Sequence, residues 1–265
     1  MSAEPLVESL DAVLQKLEDA HGRPALERVR SAILINTGRS PLPQLAPQQR
    51  PRMFFFPGLS EAGWFNPDAF EETRRLKETL EREHATFLEE LLAVPLRATL
   101  TELYAKGSDG SEALEDWGNV YLVSRGAPVA RHAPYFPRSS AILASLQSSL
   151  GPGSSAVLNV MGPHCQGLAH TDTNNVTLSV QLGLLCPEGA WTRVTDTLRP
   201  WRNGSVVMFN DTFLHQIGND SAFPRLGLVL DVWHPELTLI EREAILSLFQ
   251  VLSEHLGPDY RPPWG

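Results

Sequence analysis

The sequence predicts a mainly β fold with additional helices: a double-stranded β-helix core, of the jelly-roll or cupin-like type, after an N-terminal helical region. Leucines recur at helical spacing near the N-terminus, and short β-rich runs separated by turns follow from Trp117 onward. Many short strands at such spacing are typical of a sandwich or barrel. We therefore place a helical extension and Pro-rich linker at residues 1–52, a domain at 53–265, and its jelly-roll core at about 117–240.

Two short amphipathic helices are expected within the first 38 residues. Leu6, Leu10 and Leu14 recur at helical spacing, Gly22 follows as a stop signal, and the pattern resumes over 24–35. Helices of this kind either pack on the main domain or form a homodimer contact.

The stretch that follows mixes linker, strand and helix signals. Residues 40–52 are Pro-rich, residues 53–56 form a strand-like apolar run, and residues 67–103 are predicted to be helical. The region 61–116 carries 14 acidic against 6 basic residues. We interpret this excess as a solvated helix face and not as a cation site.

The β-rich runs are residues 118–124, 156–161, 176–185, 206–210 and 225–233. In the third and the last of them, apolar side chains alternate with polar or small ones, so that each strand has two different faces. A polar row on a strand either faces water or lines a cavity inside a barrel. The two rows are Thr177, Ser179 and Gln181 in one strand, and Arg225, Gly227, Val229 and Asp231 in the other.

The charge balance and the two cysteines exclude several classes of protein. The formal net charge of −9 argues against a nucleic-acid binder, which normally presents a basic face. Cys165 and Cys186 do not make a disulfide framework and are expected to be reduced. With neither a signal-peptide pattern nor a long apolar stretch, the sequence predicts a cytoplasmic protein with no membrane partner.

Residues 169–172, Ala-His-Thr-Asp, form the segment most indicative of a metal site. Alternation along an extended chain places His170 and Asp172 on the same side. His215, 45 residues after His170, is the best candidate for a third ligand. Two histidines and one carboxylate on one face of an octahedron leave three positions open, and this set is diagnostic of non-haem Fe(II) oxygenases. Each residue alone is a weak signal, because most His-x-Asp triplets are structural.

Arg225 strengthens the metal hypothesis. It opens a predicted strand ten residues after His215, where a jelly roll can turn a side chain toward the metal cavity. Its guanidinium can form a bidentate pair with the far carboxylate of 2-oxoglutarate, a co-substrate that an iron centre would hold together with O₂. The alternative is a structural salt bridge, for instance to Asp231.

Three stretches resemble the aspartyl/asparaginyl β-hydroxylase family of Fe(II)- and 2-oxoglutarate-dependent dioxygenases. They are PHCQGLAHTDTNNVTLSVQLGLL at 163–185, WRNGSVVMFNDTFLHQIGND at 201–220 and RLGLVLDVWHPELT at 225–238, of which the last is the most specific. The likeness is strong over 156–240. It is weaker over 54–150, where FFFPGL and Trp117 also fit, and absent over 1–50.

The resemblance implies a role for each matching residue. His170 and His215 match the two iron-binding histidines, and Arg225 matches the arginine that holds the distal carboxylate of 2-oxoglutarate. Asn159 falls where the animal peptide-modifying members have a serine that assists this arginine. Those members have Gly at the position of Asp172, whereas several bacterial relatives, including free-proline hydroxylases, keep the acid. Asp172 is therefore expected to complete the triad, which disfavours halogenation.

The strand after the motif departs from the family pattern. The family usually has Arg and His at the positions of Ser179 and Gln181, where they help to hold the co-substrate or an acidic substrate. Gln181 can still donate one hydrogen bond. The loss of the arginine weakens the prediction of a peptide Asp or Asn substrate.

Several further residues are candidates of lower rank. Trp233 and His234 are expected to pack, and His132 and His164 have no spacing that supports a ligand role. Loops at a barrel mouth commonly bind substrate. Residues in regions that could form such a rim are Trp64, Trp117, Arg125 and Arg131.

The sequence thus predicts an enzyme that hydroxylates a C–H bond of an amino acid, a peptide or an amino-acid-derived substrate, with release of succinate and CO₂. The substrate class stays open among a free amino acid, a carrier-bound amino acid, a peptide side chain and an acyl chain. The alternative function is a non-catalytic jelly-roll module for binding or regulation, which the changes at Ser179 and Gln181 would favour. Iron-dependent decay of 2-oxoglutarate would separate the two.

Overall fold

The computed structural model describes residues 4–94 and 117–255, with the backbone alone at Trp117. The part of the predicted helix 67–103 beyond residue 94 lies outside the described residues, as does much of the acidic region 61–116. Among the described residues, no helix combines the length and the apolarity needed to cross a bilayer.

The helices lie near both ends of the described chain, between the first and second strands, and between the third and fourth strands. Three short 3₁₀ segments accompany them, at Arg23–Leu26, Pro67–Ala69 and Gln147–Ser149. The α-helices are α1 (Glu4–His21), α2 (Glu27–Asn36), α3 (Glu71–Arg82), α4 (His84–Ala93), α5 (Pro137–Ser145) and α6 (Leu239–His255).

The strands form two antiparallel sheets. The seven-stranded sheet has the order β1-β9-β6-β11-β4-β2-β3, and the four-stranded sheet has the order β5-β10-β7-β8. The strands are β1 (Trp64–Phe65), β2 (Trp117–Ser124), β3 (Ala127–Pro128), β4 (Ala156–Met161), β5 (Cys165–Gln166), β6 (Thr177–Leu185), β7 (Ala190–Val194), β8 (Thr197–Pro200), β9 (Val206–Phe209), β10 (His215–Asn219) and β11 (Arg225–Trp233).

The apolar face of the large sheet packs against helices. Leu178 and Val180 of β6 share one buried cluster with Leu228 of β11, with Leu80 of α3 and with Phe87 of α4. Burying this face is the main driving force for the fold, since apolar area removed from water stabilises by about 25 cal/mol per Å². The helices therefore cover the outside of the large sheet.

The opposite face of the large sheet points toward the small sheet. Gln181 of β6 accepts a hydrogen bond from Thr192 of β7 at 2.7 Å, and the Arg225 guanidinium of β11 stacks on Trp201, which follows β8. The polar rows of β6 and β11 thus line the space between the sheets and do not face outer solvent. This arrangement confirms the predicted jelly-roll core with an N-terminal helical region.

The N-terminal helices share a second core with the C-terminal helix. Leu14 of α1 and Ile33 of α2 are buried in one cluster with Ile245 of α6, Val176 and Trp233. The apolar residues of these helices therefore pack against other parts of the same chain. The homodimer contact through them and the domain boundary at residue 52 stay predictions, although packing crosses that boundary.

Residues 48–54, which we call the flanking segment, join the extension to the barrel. The sequence predicted a linker up to residue 52 and a strand over 53–56, but only single bridges form, between Gln49 and Phe213 and between Phe54 and Asn174. The amides of Arg50, Arg52, Met53 and Phe54 donate to carbonyls in two loops of the barrel, so no continuous ladder forms.

Candidate metal centre

His170, Asp172 and His215 are brought together by pairing of the main chain. The backbones of His170 and His215 form an antiparallel bridge, with N–H···O distances of 3.0 and 2.9 Å in the two directions. The Asp172 amide donates to the Asp211 carbonyl at 2.8 Å. These bonds hold two segments, distant in the chain, side by side.

The three side chains converge on one point. The Nε2 atoms of His170 and His215 lie 3.9 and 3.8 Å from Oδ2 of Asp172, and the two imidazole centroids are 4.3 Å apart. One ligand atom from each residue lies within 4.8 Å of the others, and no other such group of three exists in the described part of the chain. The spacing suits one ion bound by all three residues.

Both histidines are oriented for metal binding by a carbonyl oxygen. Nδ1 of His170 lies 2.8 Å from the Leu168 carbonyl, and Nδ1 of His215 lies 2.9 Å from the Phe213 carbonyl. Because a carbonyl only accepts, each Nδ1 donates its proton and each Nε2 keeps a free lone pair directed at the site. Burial, followed by the neighbouring His170, lowers the pKa of His215 and favours the neutral imidazole that a metal requires.

The flanking segment holds both ligand loops. The Arg52 amide donates to the Asp172 carbonyl at 3.1 Å, and the Arg50 amide donates to the Thr212 carbonyl at 2.7 Å. The Arg52 guanidinium also lies 3.2 Å from Oδ1 of Asp172, which leaves Oδ2 facing the two histidines. No sequence pattern indicates this contact, since Arg52 stands in a Pro-rich stretch far from the ligands.

Arg225 is a fully buried cation with incomplete pairing. Its Nη2 donates to Oδ1 of Asn159, and its guanidinium stacks on the Trp201 ring at 4.1 Å from the centroid. Nε and Nη1 have no hydrogen-bond partner among the described residues. Burial lowers the pKa of Arg225 to about 10, so the group remains charged at neutral pH. The alternative salt bridge to Asp231 does not form.

Trp201, which was not a candidate from the sequence, packs against Gly227 and is held by a hydrogen-bond chain through Thr192 to Gln181. A Cβ on Gly227 would meet this ring at 2.4 Å, so glycine is needed where the indole crosses β11. Trp201 Nε1 donates to Thr192 Oγ1 at 2.7 Å, and Thr192 in turn donates to Gln181 Oε1 at 2.7 Å. The only sequence signal for this close approach of ring and backbone is Gly227 itself, a glycine inside a predicted strand.

Ser179 and Gln181 share one face of β6, as the alternation predicted, and this is the inner face, which the alternation alone left open. Both are buried, and Gln181 uses its carbonyl oxygen on Thr192. Ser179 stands between Asp231 of β11 and Phe209 of β9. The co-substrate roles of Ser179, Gln181 and Asn159 stay predictions.

The lower-ranked residues lie away from the three ligands or at their edge. Trp233 and His234 are buried and pack, and burial lowers the pKa of His234 to about 4. His132 is bound to the Tyr121 carbonyl, and neither it nor His164 joins the three metal-capable residues.

Trp64 packs edge-on against Phe209, whose ring is 5.2 Å from that of His215. The rim roles of Trp64, Trp117, Arg125 and Arg131 stay predictions.

Comparison with known proteins identifies the family. The model of the family described as aspartyl/asparaginyl beta-hydroxylase matches residues 81–235, which is more than half of the chain. The chain belongs to this family. The aspartyl/asparaginyl β-hydroxylase match covers all three candidate ligands and Arg225, and it confirms the resemblance found in the sequence.

The relatives that this chain matches are longer proteins. It is 29% identical over 206 residues to aspartate beta-hydroxylase domain-containing protein 2 of Homo sapiens, covering 76% of this chain and 55% of that protein. It is 29% identical over 193 residues to aspartyl/asparaginyl beta-hydroxylase of Mus musculus, covering 72% of this chain and 26% of that protein. The chain thus spans about half the length of the first relative.

A solved viral collagen prolyl hydroxylase from Paramecium bursaria Chlorella virus-1, in a 2OG complex, aligns with a TM-score of 0.31 and 9% identity. The alignment covers 46% of this chain and 81% of that one.

Proposed function

We propose that this chain is an Fe(II)- and 2-oxoglutarate-dependent dioxygenase that hydroxylates a C–H bond of an amino acid, a peptide or an amino-acid-derived substrate. The observation that carries the proposal is a pair of complementary features: three metal-capable side chains, and a buried guanidinium with two unpaired nitrogens. The donor set of two imidazoles and a carboxylate fits Fe(II). The two orphaned donors of Arg225 fit the carboxylate of a dianionic co-substrate.

Each residue has a defined task in this proposal. His170 and His215 would bind iron through Nε2, and Asp172 through Oδ2, while Arg52 neutralises the other carboxylate oxygen. Arg225, steadied by Asn159 and Trp201, would fix the distal carboxylate of 2-oxoglutarate. When bound, the iron centre supplies O₂ activation coupled to decarboxylation of 2-oxoglutarate to succinate and CO₂.

The ligand assignment is tested by iron content and succinate release in Asp172→Ala and His215→Ala. We expect both variants to lose most bound iron and iron-dependent succinate formation, because removing one of three ligands leaves an incomplete site. His164→Asn is the matched control: His164 is exposed at φ 52, a conformation that Asn tolerates.

Two outcomes would contradict the proposal. Wild-type iron content and turnover in either ligand variant would remove these residues from the site. A wild-type protein that binds 2-oxoglutarate without any iron-dependent decay would instead support the alternative, a non-catalytic binding module.

A further inference from the structure

Three hydrogen-bonded side chains cross the space between the sheets, and we call them the relay: Trp201, Thr192 and Gln181. Trp201 Nε1 donates to Thr192 Oγ1, and Thr192 Oγ1 donates to Gln181 Oε1, each at 2.7 Å. All three side chains are buried, and Thr192 is fully so. The relay thus links β7 of the small sheet to β6 of the large sheet.

The direction of each proton in the relay follows from its first member. An indole N–H only donates, so Thr192 Oγ1 accepts from Trp201 and has its single proton left for Gln181. Gln181 therefore presents its carbonyl oxygen to Thr192. The opposite orientation of the amide would leave the buried hydroxyl proton without an acceptor among the described residues, which costs about 1–3 kcal/mol.

The other end of the Gln181 amide is available to a ligand. Nε2 carries two protons, no described residue accepts a hydrogen bond from it, and the atom is not fully enclosed. Alternation along β6 directs it to the inner face, because its neighbours Val180 and Leu182 are buried in the helix-covered core. The oriented amide thus offers donors, and not its acceptor, to the space between the sheets.

Gln181 lies between the candidate metal centre and Arg225. Gln181 pairs with Val229 of β11, and Arg225 stands four residues before Val229 on the same face of that strand. The neighbouring cross-strand row toward the metal includes Phe209, whose ring is 5.2 Å from that of His215. A co-substrate that reaches from the iron to Arg225 must therefore pass the row of Gln181.

Trp201 connects the Gln181 amide to the buried cation. Its ring stacks on the Arg225 guanidinium at 4.1 Å from the centroid, while its N–H begins the relay. One indole therefore supports both the charge of Arg225 and, through Thr192, the donors of Gln181. Both groups are suited to carboxylate oxygens.

We propose that Thr192 is a positioning residue for the co-substrate: its hydroxyl holds the Gln181 amide so that Nε2 donates to a carboxylate oxygen of 2-oxoglutarate. This inference rests on the proposed dioxygenase function and adds to it a residue that does not itself touch the co-substrate. Without the Thr192 hydroxyl, the amide is free to turn and to present its oxygen, which repels a carboxylate.

The test compares Thr192→Val, which removes the hydroxyl, with Thr192→Ser, which keeps it. Gln181→Met and the double variant Thr192→Val/Gln181→Met complete the cycle. The Kd of 2-oxoglutarate is measured by anaerobic calorimetric titration of the iron-loaded proteins, and their iron affinity is measured separately. Thr73→Val is the matched control, since Thr73 is also buried and its hydroxyl donates to the Pro67 and Phe70 carbonyls beside α3.

We expect the Kd of 2-oxoglutarate to rise by about 10- to 100-fold in Thr192→Val and in Gln181→Met, the effect of losing one charge-assisted hydrogen bond. Thr192→Ser and the control should bind 2-oxoglutarate like wild type, and iron affinity should be the same in all the proteins. The double variant should bind no more weakly than Gln181→Met, because Thr192 acts only through that amide.

Unchanged affinity in Thr192→Val or in Gln181→Met, weakened binding in Thr192→Ser or in the control, or a further loss in the double variant would each overturn the inference. The further loss would mean that Thr192 supports Trp201 and Arg225 and not the amide. If Thr192→Val does not fold, Gln181→Met still decides, since an unchanged Kd there removes the amide from the co-substrate site. A wild-type protein that binds no 2-oxoglutarate would instead reject the dioxygenase function.

Discussion

At the scale of single residues, the most informative feature is a charge that the protein does not balance. Arg225 is fully buried, with two nitrogens that lack a partner within the described chain. Such a group costs about 1–3 kcal/mol per unsatisfied donor. The fold tolerates this cost by stacking the guanidinium on Trp201 and binding it to Asn159, which indicates that the missing partner arrives with a ligand.

Replacing Arg225 by Met tests whether a ligand supplies the missing partner of this guanidinium. Without 2-oxoglutarate, we expect the free energy of unfolding to rise by about 1 kcal/mol or more, because an unsatisfied buried cation becomes an apolar side chain. At a 2-oxoglutarate concentration of 100 times Kd, the free energy of unfolding of the wild type should rise by about 2.7 kcal/mol. That of the variant should not change. Chemical denaturation with and without the co-substrate measures both.

Arg242→Met is the matched control for this substitution. Arg242 is also buried, but it pairs with Glu72 at 2.7 and 2.8 Å, so its loss should lower stability and leave stabilisation by 2-oxoglutarate intact. Equal destabilisation of both variants would mean that Arg225 is a structural residue.

The sequence singled out the candidate residues of the site but not the residues that contact and position them. His170, Asp172, His215 and Arg225 became candidates because of their spacing and of the family resemblance. Trp201 and Arg52 were missed because their importance comes from tertiary contacts: a ring crossing Gly227, and a guanidinium reaching Asp172 from 120 residues away. No local pattern encodes either contact.

At the scale of elements, α4 supplies the cap of α5. Both oxygens of Glu90 accept from main-chain amides, those of Arg138 and Ser139, at 2.9 Å. The residue at the N-cap position, Phe136, has no side chain that could do this. A carboxylate at this end also complements the helix dipole.

Glu90→Gln should destabilise the protein by about 1 kcal/mol at neutral pH, a typical cost for a lost helix cap. Burial alone would raise the pKa of Glu90, but hydrogen bonds from Ser139 and Arg138 outweigh it and the pKa is lowered. The extra stability of wild type is therefore complete above the unfolded glutamate pKa of about 4.3 and is lost as pH falls through the folded value. Urea unfolding from pH 7 to pH 3 measures this.

Glu89→Gln is the control for that series. Glu89 is exposed and contacts Arg138 only through its side chain, at 3.0 Å, so its loss should have little effect at any pH. A Glu90 effect that stays constant down to pH 3 would argue against a role for the ionised carboxylate.

Five of the described strands, β2, β4, β6, β9 and β11, were predictable because the hydrophobic period encodes them directly. β4 and β11 have the predicted bounds, and β6 begins one residue later than expected. The run 53–56 failed as a strand because its amides bond to the Thr173 carbonyl and to the side chains of Asn36 and Asn175. Periodicity cannot distinguish such bonds from a ladder.

At the scale of the whole molecule, the two ends of the chain meet in one core. Leu14 of α1 and Ile245 of α6 lie in the same cluster as Trp233, directly after β11. The extension and the barrel should therefore unfold together, although the sequence placed a linker between them.

Leu14→Ala tests this coupling. We expect a loss of about 2–5 kcal/mol, the usual range for a buried leucine, and an equal shift of the transition by helical circular dichroism and by tryptophan fluorescence. Leu246→Ala, at a leucine that is 52% exposed on α6, should shift neither. An early helical transition that leaves the fluorescence transition in place would instead mean an independently folding extension.

The flanking segment has a practical consequence for anyone who shortens this protein. The family match begins at residue 81, and a fragment cloned from there would still encode all three candidate ligands. It would nevertheless lack the amides of Arg50 and Arg52 that anchor the loops beside them. A truncated clone that fails to take up iron would therefore report on where it was cut, not on the chemistry of its side chains.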